Sequence, residues 1–261
     1  MTDDDSSAGP DPLPEATISE ADGVRYLHLG SIWVQGAMRI RKPQVVELDY
    51  VQRMLASLLW LPTGALGQGR ALQLGLGAGA ITRFTHKLLR MPTTVVEINP
   101  DVVAVNRAWF HLPAEVEVVV ADAGGWLRDT AAPQSVQLLH VDLYDHDAAA
   151  PVLDDEAFYA DCRRVLDDGG VFSVNLFGRA ASFAQSAARI AAVFGGRHVW
   201  SLRPTREGNT VVVATRDTPL PERALLVERA AQIETRYGAH GLPARKWLRM
   251  LRPHAPESGV A

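Results

Sequence analysis

The chain has a single cysteine, Cys162, among 261 residues. A lone thiol excludes an intramolecular disulfide and any cysteine-built metal cluster, and its helical surroundings predict a core or half-buried filler. No apolar run approaches the roughly 18 residues of a membrane-spanning helix, so no transmembrane segment is expected. Basic residues are in deficit, 26 Lys and Arg against 30 Asp and Glu for a net charge of −4. That balance argues against a nucleic-acid surface and for a small ligand, cations included. The opening MTDDDSSAGPDPLPEA is acidic and Pro-rich without an apolar core. It does not read as a secretory signal, and residues 1–15 are expected to form a disordered tail of a cytoplasmic protein. No internal repeat is present, and no histidine pair stands at metal-ligand spacing, so no metal is expected.

What the sequence does contain is 47% hydrophobic residues, enough for a full α/β core. The organising stretch is residues 71–99. Ala71 to Leu74 reads as a strand that breaks into Gly75-Leu76-Gly77-Ala78-Gly79, after which Ile81, Phe84, Leu88 and Leu89 recur at helical spacing. Gly75, Gly77 and Gly79 allow positive φ and close approach of a ligand to backbone N–H groups at a new helix N-terminus. A second strand, Thr94 to Ile98, delivers Glu97, whose carboxylate can accept hydrogen bonds from a ribose diol. The glycine pattern alone fits a nicotinamide fingerprint, an S-adenosyl-nucleotide loop, or a turn used only for packing.

Around this unit the chain predicts a hairpin (Ala16 to Ser19, Val24 to Leu29) with a short strand Ile32 to Gln35 after it, and an amphipathic helix from Val45 to Leu61. Beyond Glu97 it predicts a helix capped by Asn99, a buried parallel strand Val116 to Val120, and a strand Val136 to Val141. A helix from about Asp154 to Leu166, a strand Val171 to Leu176 and a helix Phe183 to Phe194 follow. Strands His198 to Leu202 and Thr210 to Thr215 are joined by a connection so short that they must be antiparallel. The pattern is a doubly wound α/β sheet with one reversed strand. Expected segments are 1–15, the N-terminal β element and linking helix 16–62, the nucleotide-binding domain 63–218, and a C-terminal helix and basic tail 219–261. The run Lys246 to Arg252 reads as a solvated helix face, with an anionic partner as the alternative.

Ligands bind such sheets outside the carboxyl ends of the strands. Asp122 there can accept a bond from an adenine amine, with the backbone at Ala123 serving the ring nitrogens. Asp142 and Asp145, three residues apart after a strand, can both face one cationic amine. An alkylammonium, with a pKa of about 10, must lose a proton before its nitrogen can attack, and a nearby carboxylate can take it. Tyr144 and His146 are placed to assist by hydrogen bonding. Loop-capping aspartates are the plainer alternative, and a divalent cation at Asp142 and Asp145 a lesser one.

Four stretches resemble the polyamine aminopropyltransferases, the spermidine synthase family, over roughly residues 24–215. They are Tyr50-Val51-Gln52-Arg53-Met54, Val96 to Val103, Val120 to Gly124 and Val141-Asp142-Leu143-Tyr144-Asp145; Phe158-Tyr159 and Leu166 to Val171 continue the similarity. The resemblance implies a small N-terminal β element before a seven-stranded, mostly parallel, class I S-adenosyl-nucleotide (Rossmann-like) domain. It implies Glu97 on the ribose, Asp122 on the adenine side, Asp142 as base with Asp145 beside it, and Gln52 as the glutamine of a Y-Q-x-M stretch. The implied reaction is attack of a polyamine nitrogen on the aminopropyl group of decarboxylated S-adenosylmethionine. Two departures stand out. Ala78 occupies the place of an aspartate that holds the donor's ammonium, and the Y-Q-x-M tyrosine falls at Val51, with Tyr50 one position away. Ala78 keeps open an S-adenosylmethionine-dependent methyltransferase, and a non-catalytic nucleotide-binding protein is a third reading. A nicotinamide oxidoreductase ranks last, because it leaves Asp122 and the Asp142 loop without roles. The resemblance adds a homodimer as one arrangement, although no stretch marks an interface.

Overall fold

The computed structural model describes residues 13–143, 153–177 and 180–254. Strands β1 (Ala16–Ala21), β2 (Val24–Leu29) and β3 (Gly36–Arg39) form an antiparallel three-stranded sheet. The third strand begins after Ile32 to Gln35, where one was expected. Residues 31–35 instead form a loop fastened by the Trp33 N–H on Ser31 Oγ and by a contact of the Trp33 carbonyl with His28 Nδ1. That loop leaves Ile32, Trp33 and Val34 exposed.

Helix α1 (Asp49–Met54) is shorter than the helix expected over 45–61, and Leu55–Trp60 continues as a 3-10 turn. All six residues of that turn are buried, so it is a core segment apolar all round rather than an amphipathic helix. The Arg229 guanidinium donates to its terminal carbonyls at Leu59 and Trp60, which otherwise end a helix unpaired.

The main sheet follows. Strand β4 (Ala71–Leu74) leads through the glycine turn into α2 (Ala80–Arg83) and a π turn, Phe84–Leu88. Then come β5 (Thr93–Glu97), α3 (Pro100–Trp109), β6 (Glu117–Val120), α4 (Ala123–Asp129), β7 (Val136–Val141) and α5 (Glu156–Val165). Strand β8 (Leu166–Phe177), α6 (Ala180–Phe194), β9 (Val199–Leu202), β10 (Asn209–Thr215), α7 (Arg223–Tyr237), α8 (Ala244–Trp247) and β11 (Leu251–Pro253) complete the described chain. Helices α3, α4 and α5 start on Asn99, Asp122 and Asp155, whose side chains accept backbone N–H bonds, as N-caps do.

The strand order is β11-β9-β10-β8-β7-β4-β5-β6, eight strands rather than seven. Strands β4 to β8 are parallel, whereas β10 runs antiparallel to β8 and β9. The eighth strand, β11, comes from the expected basic tail and pairs antiparallel with β9. There Lys246, Arg249 and Arg252 are exposed, as a solvated face requires, while Trp247 between them is buried to 1% exposure and ties the segment to the core. Strand β6, expected to be buried, lies at the sheet edge with Glu117 and Val120 exposed; an edge strand has a neighbour on one side only.

Three clusters fill the layers. One face of the sheet packs on Leu55–Leu61 and on α7 and α8, and the other on α4, α5 and α6. Leu27 and Met38 of the N-terminal sheet join Leu76, Ala78, Val95 and Phe110 in the third. Cys162 is fully buried in the second, and burial pushes its thiol well above the ordinary range. Among the described residues no helix is long and apolar enough to cross a membrane.

Candidate active site

Strand order reverses around β4, whose neighbours β5 and β7 come later in the chain. A doubly wound sheet opens a crevice at such a point. Here a cleft of about 760 Å³ runs along the carboxyl ends of the strands. In spatial order its floor carries Asp122 after β6, Glu97 on β5, Gly75 and Gly77 after β4, Asp142 after β7, Asn175 on β8 and Asn209 on β10. At about 4.8 Å between neighbouring strands, five spacings separate the ends by roughly 24 Å. Residues 32–35 and 47–50 of the N-terminal segment line the facing wall.

The glycine turn is built for close approach. Gly75 has φ +84°, and a Cβ there would lie 2.2 Å from the Asp142 carbonyl oxygen, so the end of β7 can pass against the turn only because the side chain is absent. Glu97 closes the turn from the next strand: Oε2 accepts the Leu76 N–H at 2.8 Å and Oε1 the Asn99 N–H at 2.9 Å. Burial raises the Glu97 pKa, and the amides of Leu76, Asn99 and Ile98 pull against that rise. Three amides leave the carboxylate, with about four acceptor sites, room for a ligand hydroxyl. Asp122 both lines the cleft and caps α4 through Oδ1, which accepts the Gly125 N–H at 2.7 Å; Ala123 lies beside it on the wall.

Two expected ligand contacts lie elsewhere. Gly79, with φ +65°, starts α2 and does not line the cleft. Gln52 is turned away as well, its Nε2 donating to the Val46 carbonyl at 2.8 Å. Ala78 is 3% exposed beneath β3: a Cβ on Gly36 would come within 2.5 Å of the Ala78 nitrogen and Cβ. Position 78 thus seats the N-terminal sheet in this chain rather than lining the cleft.

At the centre sits Asp142. The Tyr50 hydroxyl donates to its Oδ2 at 3.2 Å and Asn175 Nδ2 to its Oδ1 at 2.9 Å; Asn209 Nδ2 in turn donates to Asn175 Oδ1 at 3.2 Å. Burial raises the Asp142 pKa, and the bonds from Asn175 and Tyr50 oppose the rise. Tyr144, Asp145 and His146 lie outside the described residues. Sequence reasoning passed over Asn175 and Asn209; the available signal was an asparagine inside the apolar run Val174-Asn175-Leu176. Tyr50, read as one position out of register, reaches Asp142.

Three further carboxylates line the cleft. Glu47 is paired with Arg39 and Asp49 with Arg53, whereas Glu207, in the turn before β10, has no ion-pair partner among the described residues. The arrangement can bind cations, and it holds one carboxylate, Asp142, with a raised proton affinity at its centre.

No protein-family model matches the chain. Over 231 residues it is 36% identical to the polyamine aminopropyltransferase of Chromobacterium violaceum, covering 87% of this chain and 86% of that one. It is 32% identical over 252 residues to the polyamine aminopropyltransferase of Neisseria meningitidis serogroup A, covering 95% and 92%. A probable spermidine synthase from Corynebacterium glutamicum superposes with a TM-score of 0.71 over 97% of both chains at 20% identity. Human methyltransferase-like protein 13, in complex with SAH, gives 0.62 over 82% of this chain and 98% of that one at 21% identity. The two structures share the fold. The two sequence relatives, similar over nearly the whole chain, carry the assignment: this chain is a transferase belonging to the polyamine aminopropyltransferase family.

Proposed function

We propose that the chain moves an aminopropyl group from decarboxylated S-adenosylmethionine to the nitrogen of a small amine. The observation that carries this reading is Asp142, half-buried at the cleft centre, held by Tyr50 and Asn175, with the glycine turn on one side and Asn175, Asn209 and Glu207 on the other. The nucleoside lies over β4 to β6, its ribose on Glu97 and its adenine beside Asp122 and Ala123. The acceptor lies over β7 to β10. Residues 63–218 form the catalytic domain, and residues 16–62 roof it.

An alkylammonium arrives protonated at neutral pH. Asp142 accepts one proton, and the freed nitrogen lone pair attacks the methylene carbon next to the sulfonium. The carbon–sulfur bond breaks and its electron pair stays on sulfur, which leaves as the neutral thioether of methylthioadenosine. The product is a protonated secondary amine, and Asp142 returns its proton to solvent. A raised Asp142 pKa brings its proton affinity closer to that of the amine, which favours the transfer. Holding both reactants across one strand spacing supplies the orientation.

Mass spectrometry of reactions containing decarboxylated or intact S-adenosylmethionine, each with putrescine, cadaverine, spermidine and agmatine, tests this. Methylthioadenosine together with a lengthened polyamine is the expected result. S-adenosylhomocysteine with a methylated amine would overturn it in favour of methyl transfer.

A further inference from the structure

The glycine turn is gripped from behind by three side chains. Gln73 Nε2 donates to the Gly75 carbonyl at 2.6 Å, Asn106 Nδ2 to the Gly77 carbonyl at 2.7 Å, and Arg83 Nη1 to the Ala78 carbonyl at 2.6 Å. Of the three, Arg83 reaches well beyond the turn. Its Nη1 also donates to the Phe110 carbonyl at 2.7 Å after α3, and its Nε to the Pro43 carbonyl at 3.0 Å on the way from β3 to α1. One guanidinium therefore joins the turn, the end of α3 and the N-terminal segment that carries Tyr50 seven residues later.

This placement is costly for a cation. Arg83 is 2% exposed, has no carboxylate partner among the described ion pairs, and its Nη2 is buried without a hydrogen bond among the described residues. Burial lowers its pKa only to about 10, so it stays charged at neutral pH. A buried charge without a counter-ion lowers stability unless its hydrogen bonds offset the lost hydration. An apolar side chain of similar length would fill the same space without that cost, but it could not hold three carbonyl oxygens. Gly36 presses on the same turn from the other side, with no room for a Cβ against Ala78. It is absent from the residues with positive φ, so its glycine serves proximity rather than backbone geometry.

We propose that Arg83 is a positioning residue for the S-adenosyl donor: it draws the Ala78 carbonyl inward and fixes the glycine turn against the segment that carries Tyr50. The inference rests on the donor reading given above. Because the turn meets the cleft through Gly75 and Gly77, which have no side chains, donor affinity depends on how well the backbone of the turn is held. Arg83 acts through that backbone and does not touch the reacting atoms.

The test measures methylthioadenosine affinity by calorimetry, steady-state KM for donor and acceptor, and thermal unfolding of the wild-type protein, Arg83→Lys, Arg83→Met and Gly36→Ala. Arg83→Met should weaken methylthioadenosine binding and raise donor KM about tenfold or more, the size expected for losing hydrogen bonds to a charged group. Acceptor KM should stay unchanged, and Arg83→Lys, which keeps the charge but reaches fewer carbonyls, should fall between. If Arg83→Met does not fold, Gly36→Ala should give the same donor-selective loss. Unchanged donor KM and nucleotide affinity, with kcat falling in step with the folded fraction, would reduce Arg83 to a structural role and overturn the inference. Wild-type protein that binds no methylthioadenosine would overturn the donor reading, and the inference with it.

Discussion

The two halves of the cleft are built in different ways. Toward β6, the polar groups are fixed by backbone amides of their own or the adjoining strand–turn–helix unit: Glu97 by an amide two residues on and another 21 residues back, Asp122 by one three residues on. Toward β10, the bonds span the fold: Tyr50 to Asp142 is 92 residues, Asn175 to Asp142 is 33 and Asn209 to Asn175 is 34. One half is made by successive strand–turn–helix units, and the other exists only once distant strands have been laid side by side. The first is made of units that belong to the fold itself, which this chain shares with a methyltransferase-like protein. The second is where this chain can differ from others of the same fold.

The largest expected effect falls on the boundary between the halves. Asp142→Asn should lower kcat by about 10²–10⁴, the range for removing a general base, while methylthioadenosine affinity stays within about twofold. A parallel loss of nucleotide affinity would show that the halves are not separable. In the wild-type enzyme the carboxylate must be unprotonated, so kcat/KM should fall as pH drops through a value above the ordinary carboxylate range.

Next in size, Glu97→Ala strands the amides of Leu76 and Asn99 and should weaken nucleotide binding by about 10–100-fold. Calorimetry and acceptor KM together check it: a change in acceptor KM of equal size would break the division.

Under the β7 end, His140 is fully buried, in contact with Ser57 Oγ through Nε2, and its pKa is lowered by desolvation to about 4. A histidine kept neutral in the fold but titrating near 6.5 when unfolded contributes stability that is complete above 6.5 and lost as pH falls toward 4. The slope should approach about 1.4 kcal/mol per pH unit within that window. Urea unfolding from pH 7 to 4 should show this slope in the wild-type protein and a flatter one in His140→Gln; parallel curves would remove His140 as the source.

The smallest effect is expected at Glu207. Glu207→Gln should raise KM for a diamine about two- to fivefold, the size of an exposed ion pair, and leave a monoamine unaffected. Equal changes for both amines would mean that the β10 end does not read charge.

The same division explains what could be read in advance. The βαβ unit, the cap at Asn99, the paired hairpin strands β9 and β10 and the positions of Gly75, Glu97, Asp122 and Asp142 at the carboxyl ends of the strands all follow from local pattern and the rules for open sheets. Asn175 and Asn209 carry no spacing signal, because their meaning comes from lying across β8 and β10 from one another. Tyr50 looked misplaced because a linear match scores position, whereas a long side chain on α1 is judged by where its hydroxyl arrives. Gln52 matched in position, yet its amide is used up on the Val46 carbonyl. Strand β11 was invisible for a similar reason: three residues have no period, and their pairing with β9 is decided by how the chain leaves α8. The 3-10 course of Leu55–Trp60 was missed because an apolar run does not reveal its own pitch.

Cys162 has a practical corollary. Thiol reagents attack the thiolate at accessible sites, and this sulfur is enclosed and held in its protonated form. The native chain therefore behaves toward such reagents as if it had no cysteine. A substitution such as Ile32→Cys, at a position 89% exposed on the cleft wall, would install the sole reactive thiol, and a fluorophore there could report ligand arrival without altering any other native residue.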